Sequence, residues 1–186
     1  MENRESRVST SFEVRAEEDG VTVEGYAAVF NEDTVIGGQW REQIAPSAFS
    51  DAIGRDDVVF LVNHEGLPLA RTRSGTLTLS EDERGLKIRA SLDTSDPDVR
   101  ALVPKMKRGD LDKMSFAFVP TRQKWTDVDG DDLPRRTIEQ AELYDVSIVT
   151  TPAYSGTEIG LRSLEQFRKS QRKSQAARRM RMKSSL

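Results

Sequence analysis

The sequence predicts a single, mainly β domain with flanking helices, in which the strands form a barrel or a sandwich. Three observations lead to this fold class. The chain has 186 residues, 36% of them hydrophobic, which suits one domain with one sizeable core. Short runs of β-branched and aromatic residues recur along most of the chain, with turn residues between them. Only two stretches show the capping residues and apolar spacing of a helix.

Eight segments are predicted to be strands, because apolar and polar residues alternate in them or because they form short apolar runs between turn residues. The segment "GLKIRASL" shows the alternating pattern. So many strands in one small domain favour a barrel or a sandwich. The predicted strands cover residues 11–17, 21–30, 58–64, 75–81, 85–92, 114–121, 135–141 and 143–151.

Two segments are predicted to be helical. Residues 45–54 carry Pro46 at a position typical of the first helical turn, and Gly54 follows the apolar residues as a stop signal. Residues 94–109 begin with a Ser-Asp-Pro cap and end at a glycine. Within this second segment, Pro104 is expected to kink or divide the helix.

Charge and composition divide the chain into three parts. Residues 1–10 are expected to be a flexible N-terminus, residues 11–162 a folded domain, and residues 163–186 a basic tail that is helical or disordered. The tail has eight Lys or Arg residues and one Glu, a net charge of +7. Since the whole chain carries −3, the remaining residues carry −10. The tail has few apolar residues and is not expected to join the core, so a solvated tail and a partner-binding tail both remain possible.

The residue types present limit the possible chemistry. The chain has no cysteine and one histidine, which excludes disulfides, thiolate nucleophiles and a multi-histidine metal site within one chain. No apolar stretch is long enough to span a bilayer, and the N-terminus lacks the apolar core of a secretory signal, so we expect a soluble, intracellular protein. Any catalysis must depend on hydroxyl or carboxylate groups.

The one histidine, His64, follows an apolar run that is predicted to be a strand. On a strand, the side chains of Val58, Phe60, Val62 and His64 share a face, which places the imidazole at the rim of the core. A histidine in this position can be a general base, a metal ligand or a hydrogen-bonded structural residue. The structural role is the more common one.

Ser115 and Asp145 are two further polar residues on predicted apolar strands. Ser115 begins a strand whose phenylalanines alternate to the opposite face, although serine is common at strand starts. Asp145 interrupts "LYDVSIV", and a carboxylate buried in mid-strand needs a partner. A hydroxyl, an imidazole and a carboxylate are the groups of a catalytic triad, so Ser115, His64 and Asp145 together could form one.

Several stretches, in order, resemble the caudovirus prohead proteases of the HK97 type, a family related to the herpesvirus assemblins. The resemblance runs from about Glu24 to Leu161, and its several landmarks together are far more specific than any one of them. The stretches are "GYAAVFN" (25–31), "EQIAPSAFSDAI" (42–53), "LVNHEGLPLARTRSGTLTLSEDERGLKIRASL" (61–92), "RGDLDKMSFAF" (108–118) and "AELYDVSIVTTPAYSGTEI" (141–159). This resemblance implies an assemblin-like closed β-barrel.

The resemblance also implies roles for particular residues. His64 in "NH" matches the catalytic histidine of the family, and Ser115 in "MSFAF" matches its nucleophile. The acidic third member matches Asp145. Glu142 is the nearest competitor for that role, and strand alternation is expected to place Glu142 and Asp145 on opposite faces.

One departure from the related herpesvirus proteases concerns the oxyanion site. The segment "PAYSGT" lacks the paired arginines of the herpesvirus oxyanion segment. The expected oxyanion donors are therefore backbone N–H groups of Ala153, Tyr154 and Ser155.

The implied function is a serine endopeptidase that cleaves scaffold protein, or the scaffold segment of a capsid protein, during prohead maturation, and also cleaves itself. The implied location is the assembling prohead in the cytoplasm of a bacterial host. We expect capsid or scaffold protein as substrate and self-association of the chain. We expect no metal, no cofactor and no membrane partner.

Two other functions remain open on the sequence. A non-catalytic capsid-assembly or scaffold-binding module would keep the fold without turnover. A nucleic-acid-binding protein would suit the basic tail, but the acidic body and the lack of a stacking motif weigh against nucleic acid as a partner. The stretch "DVDGDD" (127–132) resembles a calcium loop, but its glycine is in fourth place and Ile138 stands where a glutamate is needed, so we predict a polar hairpin loop.

Overall fold

The structure is a computed structural model of the whole chain, and it describes residues 4–9, 11–17, 20–127, 133–150 and 157–184. Within these residues the chain forms eleven strands and three helices. In chain order they are β1 (Glu5–Ser9), β2 (Ser11–Glu17), β3 (Gly20–Val29), β4 (Thr34–Ile36), β5 (Trp40–Ile44), α1 (Ser50–Arg55), β6 (Val59–Val62), β7 (Glu65–Arg71), β8 (Leu77–Glu81), β9 (Gly85–Leu92), α2 (Pro97–Arg108), β10 (Lys113–Thr126), β11 (Arg135–Val149) and α3 (Thr157–Ser184).

The first sheet has seven strands arranged around β11. β10 pairs with β11 along an antiparallel ladder, and β1 pairs with the opposite edge of β10. On its other side, β11 pairs in parallel with β5 along residues 135–138 and with β6 along residues 145–148. β4 and β7 extend the sheet beyond β5 and β6. One strand, β11, therefore connects the two ends of the sheet.

The second sheet is antiparallel, with the strand order β2, β3, β9, β8. β9 buries every second residue from Leu86 onward, as expected for a sheet with one face toward the core. Val23 and Ile88 of this sheet belong to the same buried cluster as Phe116 and Phe118 of the first sheet. The two sheets therefore share one hydrophobic core.

α2 is a capped amphipathic helix against this core. Asp96 caps its N-terminus by accepting a hydrogen bond from the Asp98 N–H at 2.8 Å, and Gly109 ends it with a φ of 80°. The helix runs through Pro104 without a break, so the predicted division at Pro104 is not found. Its buried side chains follow helical spacing and are Val99, Leu102 and Met106.

α3 covers one end of the first sheet with its N-terminal turns. Leu164 is 1% exposed and packs in a cluster with Trp40. The rings of Phe167 and Trp125 are stacked, with their centroids 5.9 Å apart. The indole N–H of Trp125 donates to Oγ of Ser163 at 2.8 Å. The expectation that the whole basic tail lies outside the core is therefore wrong, because Leu164 and Phe167 at its start pack against two tryptophans, Trp40 and Trp125.

Beside α3 lies a buried ion cluster, formed by Glu5, Arg7, Glu42 and Arg136. Arg136 donates to both carboxylate oxygens of Glu5, at 2.7 and 2.8 Å, and Arg7 donates to both oxygens of Glu42, at 2.5 and 3.1 Å. Burial alone raises the pKa of Glu42, but the charges of Arg7 and Arg136 outweigh burial and hold that pKa below its usual value. Two cations and two anions thus satisfy one another away from water.

Two expectations about the architecture are not met. The resemblance implies a closed barrel, but within the described residues the strands form two sheets that only the isolated bridge between Phe30 and Ile44 joins. The sequence predicts a flexible N-terminus over residues 1–10, but β1 within it pairs with β10. Glu5 and Arg7 hold β1 in place because they supply half of the buried ion cluster.

Candidate active site

Three side chains from distant parts of the chain meet at one end of the first sheet. Nδ1 of His64 lies 2.6 Å from Oδ1 of Asp145, and Nε2 of His64 lies 2.8 Å from Oγ of Ser115. Ser115 and Asp145 are buried, and His64 is partly exposed. The imidazole therefore bridges a hydroxyl and a carboxylate through its two opposite nitrogens.

β10 and β11 hold Ser115 and Asp145 on the face of the sheet that points away from the core. Ser115 pairs with Ser147 across the ladder, and Ala117 pairs with Asp145. Cross-strand partners share a face, and so do residues two apart on a strand, so these four side chains lie together. The intervening Phe116 packs in the core and fixes the orientation of β10.

His64 lies in a tight turn, not at the end of a strand as the sequence predicts. β6 ends at Val62, which pairs with Glu65 at the start of β7. Between them, Asn63 and His64 both have positive φ, 53° and 62°. A two-residue hairpin turn of type I′ requires this conformation at both positions. The turn, and not strand alternation, directs the imidazole toward Ser115.

Asn63 ties this turn to the strand that carries the carboxylate. Its Oδ1 accepts hydrogen bonds from the N–H of Thr150 at 2.9 Å and from the Thr150 hydroxyl at 3.2 Å. Thr150 directly follows β11, and β6 pairs with β11 just before it. The turn with His64 is thus fixed relative to Asp145.

A β-bulge at Tyr144 changes which side chains of β11 face the core. Asp145 pairs with Ala117 and Leu143 pairs with Phe118, so Tyr144 is an extra residue on β11. Leu143 belongs to the hydrophobic core, whereas Asp145 points to the opposite face. Without the bulge, strict alternation would place Leu143 and Asp145 on the same face.

The same bulge also determines the face of the sheet on which Glu142 lies. Glu142 pairs with Val119 and Asp145 with Ala117, two residues apart on β10, so both carboxylates lie on the same face of the sheet. The prediction of opposite faces is wrong. The Glu142 carboxylate instead accepts a hydrogen bond from the Tyr144 hydroxyl at 2.9 Å, whereas Asp145 contacts the imidazole.

Ser147 is a member of the site that the sequence analysis does not identify. Its Oγ donates to Oδ1 of Asp145 at 2.8 Å and lies 3.3 Å from Nδ1 of His64. Ser147 is fully buried. The oxygen to which it donates, Oδ1 of Asp145, is the same one that faces the imidazole. Its spacing of two residues from Asp145 was a signal, but serine is too common on strands for this spacing to predict a role.

The remaining predicted site residues, Ala153, Tyr154 and Ser155, lie outside the described residues. In the part of the chain that the structure describes, no group of three or more His, Asp or Glu side chains is placed to hold a metal ion. Nor does any described helix have the length and apolar character to cross a membrane. The arrangement present suits nucleophilic chemistry, in which a hydroxyl proton passes to an imidazole that a carboxylate orients.

Comparisons with known proteins add evidence from outside the chain. The profile of a family described as caudovirus prohead serine protease matches residues 10–170. The prohead protease of Enterobacteria phage HK97 is 31% identical over 134 residues, which cover 70% of this chain and 55% of that protein. The chain therefore spans about half the length of this curated relative. The solved structure of the bacteriophage T4 capsid assembly protease is similar in fold, with a TM-score of 0.50, 12% identity, and coverage of 79% of this chain and 98% of that one.

Proposed function

The chain belongs to the caudovirus prohead serine protease family, as the sequence resemblance predicts, and from this premise we propose that it is a serine endopeptidase of prohead maturation. Its substrates are scaffold protein or the scaffold segment of a capsid protein, and it acts inside the assembling prohead in the cytoplasm of a bacterial host. The observation that carries this proposal is the hydrogen-bonded row of Ser115, His64 and Asp145.

In the first half of the reaction, Oγ of Ser115 attacks the carbonyl carbon of the scissile peptide bond while Nε2 of His64 takes the hydroxyl proton. Asp145 accepts a hydrogen bond from Nδ1–H, which keeps Nε2 free as the base and stabilises the imidazolium that forms. When the tetrahedral intermediate collapses, the C–N bond breaks and Nε2 returns the proton to the leaving amine. An acyl ester on Ser115 remains.

In the second half, water hydrolyses the acyl ester. Nε2 of His64 takes a proton from the attacking water, a second tetrahedral intermediate forms, and its collapse breaks the ester bond and returns the proton to Oγ of Ser115. Ser147 supports both halves, because it holds the Asp145 oxygen that orients the imidazole.

The oxyanion donors in this proposal are the backbone N–H groups of Ala153, Tyr154 and Ser155. Support comes from Thr150, which precedes this segment and is hydrogen-bonded to the turn that carries His64. Thr150 is the last described residue before this segment, and its contact with Asn63 places it close to His64. Removing one oxyanion donor, a side-chain amide, from a serine protease costs about 2.7–4 kcal/mol of transition-state stabilisation.

Self-cleavage in the basic tail is a further part of the proposal. A tail on the same chain meets the active site at a high effective concentration. The exposed residues of α3 beyond Phe167 contribute little packing, so a cut there leaves the core intact. Intact-mass measurement tests this point, since the tail should shorten in the active enzyme and stay whole in the Ser115→Ala variant.

The central experiment is labelling with a serine-reactive fluorophosphonate, together with mass spectrometry of co-expressed capsid protein. We expect label on Ser115 and a defined cut in the capsid protein or its scaffold. Ser115→Ala and His64→Ala should each abolish processing, and the double variant should lose little more, because triad members act as a unit. The matched control is Ser91→Ala, an exposed serine on β9, which should process normally. Processing by a folded Ser115→Ala protein, or labelling at another residue, would refute the assignment of Ser115 as the nucleophile.

The third member is tested by a pair of matched amide substitutions. Asp145→Asn should lower kcat by up to about 10⁴-fold, by analogy with a triad aspartate of another protease. Glu142→Gln should have little effect, because its carboxylate contacts Tyr144 and not His64. The reverse pattern of losses would assign the role to Glu142.

A further inference from the structure

A pocket opens beside the turn that carries His64. It has a volume of about 300 Å³ and lies between β7 and α2. Its wall includes Val62 and Glu65, which flank the turn and pair across it. Consecutive Cα atoms are only about 3.8 Å apart, so the pocket begins within one residue of the imidazole. Its volume suits a single long side chain.

Two regular elements hold the shape of this pocket. Three alternate residues of β7 share one face, and three residues of α2 share one face at helical spacing. These pocket residues are Glu65, Leu67 and Leu69 on β7, and Asp98, Leu102 and Lys105 on α2.

The floor of the pocket is apolar. Leu102 is buried, and Val62 and Leu69 pack against the hydrophobic core. Leu67 is 81% exposed, which places it at the mouth of the pocket. These side chains can cover the methylene groups of a long side chain and leave its polar end at the rim.

The rim of the pocket has a net negative charge. The exposed side chains there are the carboxylates of Glu65 and Asp98 and the ammonium group of Lys105. Among the described residues, none of these three side chains forms an ion pair. Lysine and arginine have an apolar stem and a cationic end, so they match both the floor and the rim.

The position of the pocket relates it to the leaving half of the substrate. Nε2 of His64 gives its proton to the leaving amine, so the peptide after the scissile bond passes the turn that carries His64. An extended chain advances about 3.3 Å per residue, which brings its first few residues to the pocket. The basic tail of this chain has eight Lys or Arg residues, whereas the rest of the chain carries −10.

We propose that this pocket is a specificity site for a lysine or arginine among the first three residues after the scissile bond. Glu65 and Asp98 bind the cationic end, and the apolar floor covers the stem. The inference rests on the proposed protease function and deepens it, because it names the substrate side chain that the enzyme selects. The basic tail is a substrate segment of this kind.

Cleavage-site profiling tests the proposal. The full-length protein is incubated with peptides from a chymotryptic digest of a bacterial proteome, and mass spectrometry identifies the residues on both sides of each cut. We expect lysine and arginine to be enriched roughly threefold to tenfold at one of the first three positions after the cut. Enrichment only before the cut, or of apolar residues instead, would overturn the inference.

Charge variants assign the preference to the pocket. Glu65→Gln/Asp98→Asn should abolish the enrichment, and Lys105→Gln should strengthen it, because that change removes the one cation of the rim. The matched control is Glu32→Gln/Glu83→Gln, which removes the same charge from two exposed positions outside the pocket and should keep the preference. Equal loss of the preference in the two amide variants would refute the role of the pocket.

A synthetic peptide tests the apolar floor with the wild-type protein, so this test does not depend on the folding of a variant. In the best-cleaved sequence, diaminopropionic acid replaces the selected lysine and keeps the charge, but it has three fewer methylene groups. We expect kcat/KM to fall by about tenfold. An unchanged kcat/KM would show that the floor does not contact the substrate.

The two proposals fail in different ways. If the wild-type protein is not labelled at Ser115 by a fluorophosphonate and cuts neither capsid protein nor any library peptide, the protease function is wrong. If it is labelled and cuts peptides without a preference for lysine or arginine after the cut, only the specificity site is wrong.

Discussion

A glycine at position 64 should make the protein more stable than an alanine there, which is the opposite of the usual order. His64 has a φ of 62° in the turn between β6 and β7, a conformation that is costly for any residue with a Cβ. Both His64→Gly and His64→Ala remove the imidazole and its contacts with Ser115 and Asp145. Their difference in stability therefore isolates the backbone of the turn.

The magnitude follows from two opposing effects. The left-handed conformation costs a non-glycine residue roughly 1–2 kcal/mol. Glycine loses more conformational freedom on folding than alanine does. This effect alone favours alanine by roughly 0.4–1 kcal/mol. The net preference is about 0.5–1 kcal/mol for glycine. In a domain of this size, that difference corresponds to about 1–4 °C in Tm.

Thermal and urea unfolding of the two variants measure this difference directly. The matched control is Glu83, an exposed loop residue that is not among the described residues with positive φ. There, Glu83→Ala should be the more stable variant and Glu83→Gly the less stable one. If alanine is as stable as glycine at position 64, the turn is not strained in the way that the φ value indicates.

Two further predictions concern the partly buried Glu81 and the buried Gly160. Burial raises the pKa of Glu81, whose carboxylate accepts a hydrogen bond from the Phe49 N–H; because its folded pKa lies above its unfolded value, the charged form destabilises the protein at neutral pH. Glu81→Gln keeps the acceptor, so it should raise Tm near neutral pH, and this advantage should disappear as the pH falls through the raised folded pKa to the unfolded pKa of about 4.3. A Cβ at Gly160 would lie 2.5 and 2.7 Å from two ring carbons of buried Trp40, so Gly160→Ala should cost roughly 1–3 kcal/mol and expose α3 to proteolysis. Ser174→Ala, at an exposed position of α3, should do neither.

Regular strands were predictable from the sequence, whereas strands without alternation were not. β3 and β9 lie within one residue of the predicted segments, because one of their faces is buried throughout the core. β7 was missed because it contains Gly66 and Pro68 and exposes its first four residues. It is an edge strand that pairs on one side only, so little in its sequence requires burial.

The members of the candidate site were predictable by residue type, but their geometry was not. With a single histidine in the chain, His64 was the only possible imidazole, and Ser115 and Asp145 stood out as polar residues on apolar strands. The turn at His64 lacks the glycine that marks such turns, and the bulge at Tyr144 leaves no sequence signal. Both features depend on tertiary contacts, as with the hydrogen bonds between Asn63 and Thr150.

The separation of the site residues along the chain has a consequence for the order in which the site forms. His64 and Asp145 are 81 residues apart, and His64 and Ser115 are 51 apart. Contacts of such high sequence separation form late in folding, because the loop between them must close first. A ribosome-bound chain that has already exposed Ser115 still lacks β11 and therefore lacks Asp145. Under the proposed function, a nascent chain, or one truncated before β11, therefore lacks the carboxylate that orients His64, and full activity requires the folded β11.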